Sequence, residues 1–119
     1  MARVREAGGL GLLSVSSITV AELYLGVEVL PEGRRKADLL ASLESTLTGG
    51  FDIRPLSGAA ARAFGRIGAA LKREGISCSF QDLAIASIAL AEERTVASND
   101  RFFEDAQRVC GLKFERWKP

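Results

Sequence analysis

Apolar and polar positions along the chain divide it into short blocks. "LLSVS" (12–16) is a brief apolar run and reads as a buried strand. "SSITVAELYLGVEVL" follows, where Thr19 and Glu22 have the T-x-x-E spacing of a capping box. That spacing predicts a helix reaching about Leu30. "PEG" (31–33) breaks the pattern. "RRKADLLASLESTL" then places Leu39, Leu40, Leu43 and Leu47 on one helical face, and "TGG" stops it. "FDIRPL" reads as a second strand. Ser57 opens a long helix in which Ala60, Phe64, Ile67 and Leu71 repeat at helical spacing up to a Gly75 stop. A helix over about 80–93, a strand "TVAS" (95–98), a short helix in "NDRFFEDAQRV" and an edge strand "LKFERW", with Trp117 covering the sheet edge, complete the chain.

Strands alternating with helices in this order predict a mostly parallel α/β sheet with helices on both faces. In such sheets ligands gather beyond the C-terminal ends of the strands. The chain has 119 residues, 47% hydrophobic and 26% charged, which fits one folded domain spanning 1–119. No apolar run is long enough for a membrane span. Glu6 and a Gly pair interrupt the N-terminal apolar patch, so it makes a poor signal peptide, and a cytoplasmic location is expected.

Charge and composition narrow the chemistry. The net charge of +1 exerts no general pull on nucleic acid, so binding to it requires a local basic patch. "RRK" (34–36) with Arg34 and Arg35, the pair Lys72 and Arg73, and Arg101 are candidate phosphate contacts. Each also reads as a solvated helix face. Cys78 and Cys110 lack zinc or CxxC spacing and read as reduced thiols. The chain has no histidine. That removes Ser-His-Asp triads, Cys-His pairs and histidine metal ligands, and leaves chemistry based on carboxylates, hydroxyls, Lys, Arg, Cys or a metal held by oxygen ligands.

Three acids stand at strand–helix junctions. Glu22 follows the first strand, Asp82 opens the helix leading into "TVAS", and Asp100 follows that strand directly. Each alone has a structural reading: Glu22 in its capping box, Asp82 three residues after Ser79, Asp100 as an N-cap. Each such role is worth about 0.5–2 kcal/mol. Together they pose another problem. Carboxylates ~5 Å apart repel by roughly 3 kcal/mol per pair at an effective dielectric near 20. A divalent cation offsets this, and Mg²⁺ or Mn²⁺ on carboxylates suits phosphodiester hydrolysis.

"SSITVAELYLG", "DLAIASIALAEERTVASND" and a closing "GLKFERW" resemble the PIN-domain ribonucleases of the VapC toxin type, over nearly the whole chain from residue 12. The resemblance implies an α/β/α sandwich and RNA cleavage with Mg²⁺ or Mn²⁺. It also implies a cognate antitoxin as partner and homodimerisation, with no membrane. By position it makes Glu22, Asp82 and Asp100 the catalytic and metal-binding acids, Ser98 and Asn99 supporting residues, and Arg101, Arg34 and Arg35 weaker candidates for RNA contact. The family opens with a mid-sheet strand ending in an aspartate, followed by a helix. Here "MARVREAGGLG" stands instead, so the chain reads as N-terminally truncated relative to that pattern. A second departure is Phe102, where many relatives carry another aspartate. The alternative is therefore a catalytically weak or inactive PIN-like module that binds an antitoxin or partner chain. A receiver-like or phosphatase-like domain is disfavoured, because no lysine follows the late strand.

Overall fold

A computed structural model describes residues 3–6, 13–49 and 51–116. The elements run β1 (Arg3–Glu6), β2 (Leu13–Ser16), α1 (Ser17–Glu28), α2 (Arg34–Thr48), β3 (Asp52–Arg54), α3 (Gly58–Arg73), α4 (Phe80–Ala91), β4 (Arg94–Ser98), α5 (Arg101–Cys110) and β5 (Lys113–Arg116). The strands lie in the order β3-β2-β1-β4-β5. β2 pairs parallel with β3, and β4 with β5, while β1 is antiparallel to both β2 and β4. β2, β3, β4 and β5 therefore share one direction and β1 opposes them. The expected α/β sheet with its mostly parallel strands is present. The extra element is β1, which fills the mid-sheet position in reverse.

Residues at paired positions share a face. Ser14, Asp52 and Val96 lie level on one side, and Val15, Ile53 and Ala97 on the other. Val15, Val96 and Ala97 are all buried, so both faces are covered. The main core packs Ala63, Ile67 and Leu71 of α3 and Leu83, Ile85, Ala86 and Ala89 of α4 together. Val96, Phe102, Phe103, Ala106 and Leu112 join them. The stripe expected on α3 is the one buried, with Phe64 at its margin. α4 is buried on every side from Leu83 to Ala89, as expected of a helix apolar all round its circumference. It passes α3 so closely that a Cβ at Gly68 would meet Leu83 Cδ2 at 3.2 Å.

α1 and α2 differ from the rest. Neither contains a fully buried residue. Leu40, Leu43 and Leu47 of the expected α2 face are half-buried, and Leu39 is exposed. Lys36 Nζ joins the two helices by donating to Glu28 O at 2.9 Å and to Glu32 Oε1 at 2.7 Å.

The helix boundaries follow local chemistry. Gly75 ends α3 in the left-handed region at φ 72°, with Ile76 N–H donating to Leu71 O and Gly75 N–H to Lys72 O, a Schellman arrangement. Gly111 ends α5 at φ 73°. At α1 the expected start is corrected. Ser16, extended at φ −68° and ψ 140°, accepts the Ile18 N–H, so the helix begins before Thr19 and Glu22 sits inside it. Trp117 lies outside the described residues. Among those described, no helix is long and apolar enough to cross a membrane.

Candidate active site

β4 and α4 build the acid end of the sheet. α4 precedes β4 and runs back along it, which brings the head of the helix to the C-terminal end of the strand. Ser79 caps α4 by accepting the Asp82 N–H at 3.1 Å, so Asp82 stands in the first turn, where the helix dipole favours a carboxylate. Asp100 caps α5, accepting the Phe102 N–H at 2.9 Å. The buried Ser98 hydroxyl accepts the Asp100 N–H at 3.0 Å and fixes the backbone that carries the second acid.

Asp82 and Asp100 are near enough for their charges to interact. Asp82 is half-buried. Burial first, and then the Asp100 charge, hold its carboxyl above the ordinary aspartate range, with the Ser79 hydroxyl opposing. Two neighbouring carboxylates, at a helix head and a strand end, form a donor set that suits Mg²⁺. That ion binds through one or two carboxylates and keeps several waters. Glu22 is exposed on α1. Among the described residues, no three Cys, Asp or Glu side chains converge closely enough to hold a metal together. The structure thus brings Asp82 and Asp100 together and leaves Glu22 outside that pair.

The reverse direction of β1 has a consequence here. Its Cα register pairs Glu6 with Arg94 and Arg3 with Ala97. Glu6, the acid that closes β1, therefore lies at the start of β4, away from the end where Asp100 stands.

The basic candidates separate. Arg101 is the first residue of α5, beside Asp100, and is exposed. Arg34 and Arg35 are exposed at the start of α2, which packs mainly on α1. Asn99 is exposed, and its carbonyl accepts from Arg116 Nη1 at 3.5 Å. Arg116 ends β5 level with Ser98 and pairs with Glu104, so it braces the acid end, a role that no sequence signal announced. Cys78 is exposed and Cys110 half-buried, both as free thiols.

A second polar cluster lies nearer the start of the strands, and sequence reasoning missed it. Arg94 is 9% exposed. Its guanidinium donates to Ser14 Oγ and to Asp52 Oδ2, and its Nε lies 3.8 Å from Glu92 Oε1. Arg54 Nε meets both carboxylate oxygens of Glu92, at 2.7 and 3.1 Å. This network ties β2, β3 and β4 to the end of α4.

An α/β sheet with covered faces and an acid pair at the strand ends has the architecture expected of a PIN-like domain. The chain is 37% identical over 97 residues to plasmid stability protein StbB of Pseudomonas syringae pv. tomato, covering 80% of this chain and 70% of that protein. It is 36% identical over 107 residues to ribonuclease VapC2 of Haemophilus influenzae, covering 90% of this chain and 76% of that protein. The solved complex of VapBC2 from Rickettsia felis bound to a promoter DNA fragment matches with a TM-score of 0.74 at 30% identity. That match covers 88% of this chain and 74% of that one. No protein-family profile matches the chain. The chain belongs to the VapC family of PIN-domain toxins.

Proposed function

We propose that the chain is an endoribonuclease toxin of a bacterial toxin–antitoxin pair, hydrolysing RNA phosphodiester bonds with Mg²⁺ or Mn²⁺. The observation that carries this reading is the pairing of Asp82 with Asp100 at the C-terminal end of β4, in a chain of the VapC family. Asp82 and Asp100 would hold the ion, while Glu22, the third acid of the family resemblance, stands on α1 outside that pair. Bound there, the ion would lower the pKa of a water and stabilise charge on the phosphoryl group. Ser98 keeps the Asp100 backbone in place, and Asn99 shapes the adjoining turn. Arg101 meets the RNA phosphate beside Asp100, and Arg34 and Arg35 offer a more distant contact.

A cognate antitoxin and a second copy of the chain are the protein partners of this reading. The α1–α2 hairpin supports it, because Leu25 is 57% and Val29 70% exposed there. The site of action is the cytoplasm, where RNA and antitoxin meet.

The absence of a three-acid cluster among the described residues favours a second reading, a catalytically weak or inactive module that binds an antitoxin or partner chain. One assay separates the two. Purified protein is incubated with single-stranded RNA in Mn²⁺, with chelator and with Asp100→Asn as controls. Cleavage lost in both controls supports the nuclease. No cleavage at high protein concentration, with antitoxin binding intact, supports the module and overturns the nuclease.

A further inference from the structure

The far end of α4 carries a cleft that the acid pair does not use. Its volume is about 470 Å³, within the about 300–1,000 Å³ of ligand sites. Arg62 and Arg66 of α3 line it, together with Glu92 and Glu93, which follow α4. Leu90 and Ala91, both half-buried, add an apolar patch. Glu93 stands immediately before β4, and Asp100 lies beyond the other end of that strand. A strand rises about 3.3 Å per residue, so β4 separates the cleft from Asp100 by roughly 15 Å along its length.

The charges of this cleft are not balanced from within. α3 carries Arg62, Arg66, Lys72 and Arg73 and no acid. Lys72 and Arg73 lie in its last turn, where the helix dipole favours cations. Arg62 and Arg66 lack that support. They are exposed and four residues apart, and like charges at that spacing repel. Among the described residues, neither side chain takes part in an ion pair or a hydrogen bond. Glu92 does not answer them, because both its carboxylate oxygens are taken by Arg54 Nε, and Arg94 Nε lies 3.8 Å away. Glu93 is exposed and, among the described residues, also without an ion pair. Two unpaired cations thus share the cleft with one unpaired acid, and a positive excess remains.

That arrangement selects among anions. A nucleic acid brings a phosphate with every nucleotide, and the Glu93 carboxylate in the same cleft opposes such a run of charge. The lining contains no aromatic ring to stack a base. A carboxylate on a protein segment brings one charge, which the guanidinium fork pairs with bidentately. Its aliphatic stem covers Leu90 and Ala91, and the backbone N–H groups around it are donors that Glu93 accepts.

We infer that the Arg62–Arg66 cleft is a docking site for an acidic residue of the cognate antitoxin, at the end of β4 away from the acid pair. The inference rests on the toxin–antitoxin reading above and names the surface and the chemistry of that contact. The cleft shares no residue with the α1–α2 hairpin.

The test measures antitoxin binding by titration calorimetry for the full chain, for the double variant Arg62→Gln/Arg66→Gln and for Arg62→Glu/Arg66→Glu. Loss of the charge pair predicts Kd raised about tenfold or more in the Gln variant, and further in the Glu variant. The salt dependence of Kd flattens in the Gln variant. Its RNA cleavage and melting temperature stay at the parent's values, because neither arginine has an internal partner to lose and the acid pair is elsewhere. Each acid of the antitoxin is then changed to Lys in turn, and one such change restores binding to the Glu variant. Unchanged Kd in both double variants overturns the inference, as does weakened binding that no acid-to-Lys change rescues. RNA binding to Asp100→Asn that falls on adding the Gln pair, with antitoxin binding intact, makes the cleft a phosphate contact and also overturns it. A parent chain that binds no antitoxin removes the toxin–antitoxin reading itself, a different failure from antitoxin held equally by parent and variants.

Discussion

Arg94, the first residue of β4, crosses two neighbouring strands to meet Asp52 of β3, with 3.3 Å between Nη2 and Oδ2. Along the way its guanidinium also donates to Ser14 Oγ. The arginine is almost fully buried, so its charge depends on those partners for stabilisation. Removing it leaves Asp52 and Glu92 with Arg54 as their remaining shared cation, 3.6 Å from Asp52 Oδ1 and 2.7 Å from Glu92 Oε1. We expect Arg94→Ala to lose stability in urea denaturation, by less than the about 3–5 kcal/mol of a fully buried pair, because the carboxylates are partly exposed and keep Arg54. Arg94→Met keeps the volume, and combined with Asp52→Asn it should recover a large part of the loss. Equal stability of Arg94→Ala and the parent chain would show that the network contributes nothing.

None of that network is legible in the sequence. Its members are separated by 80 positions for Arg94 and Ser14 and by 42 for Arg94 and Asp52. No periodicity or capping pattern links them, and only the sheet order brings them together. β1 is illegible for a related reason. "RVRE" contains one apolar residue and is four residues long, so its strand state comes from having a partner on each side. The caps at α3, α4 and α5 were legible because each depends on a residue two or three positions away. At α1 the run "SSIT" offers several hydroxyls. Thr19 has the better motif with Glu22, but Ser16 is the residue that leaves the strand in extended geometry and captures Ile18. Asp82 and Asp100 stood out because both adjoin buried elements. Glu22 stood out equally, and the structure leaves it exposed and apart from them.

The raised Asp82 carboxyl fixes the sign of a pH effect. Between the ordinary aspartate range and its raised value, the folded chain keeps a proton that the unfolded chain has released. The unfolded state then binds fewer protons, so stability falls as pH rises through that window and stays lower above it. In chelator at neutral pH, Asp82→Asn should therefore melt no lower than the parent chain, and the two should converge on acidification below the window. Mn²⁺ should raise the melting temperature of the parent chain but not of the variant. A variant that is less stable at neutral pH without metal would show that the carboxylate is held by a favourable contact.

Ser98 gives a way to disturb the acid pair without removing an acid. Its hydroxyl is buried and accepts the Asp100 N–H, which sets the turn from β4 into α5. Ser98→Ala leaves that N–H without its partner and should cost about 1 kcal/mol. The Mn²⁺-dependent rise in melting temperature should shrink but persist, because both carboxylates remain. Ser98→Thr restores an acceptor and should recover most of the rise. If Ser98→Ala loses stability but keeps the full metal response, the hydroxyl serves the turn alone.

The α1–α2 hairpin presents apolar side chains that the fold does not use. Leu25 and Val29 are more than half exposed, and no residue of either helix is fully buried. Substituting them touches little of the core, so Leu25→Glu and Val29→Glu should each change stability by no more than about 0.5 kcal/mol. An interface is far less tolerant, because a charge carried into a dry contact has no solvation to replace what it loses. The double variant should therefore elute as a folded monomer by size-exclusion chromatography with light scattering, under conditions where the parent chain dimerises. Comparing antitoxin capture by the same variant separates the two partners. Capture that survives when dimerisation fails assigns the surface to the second copy, and loss of capture from a monomeric parent assigns it to the antitoxin. A folded double variant with both associations intact would place each interface on another face.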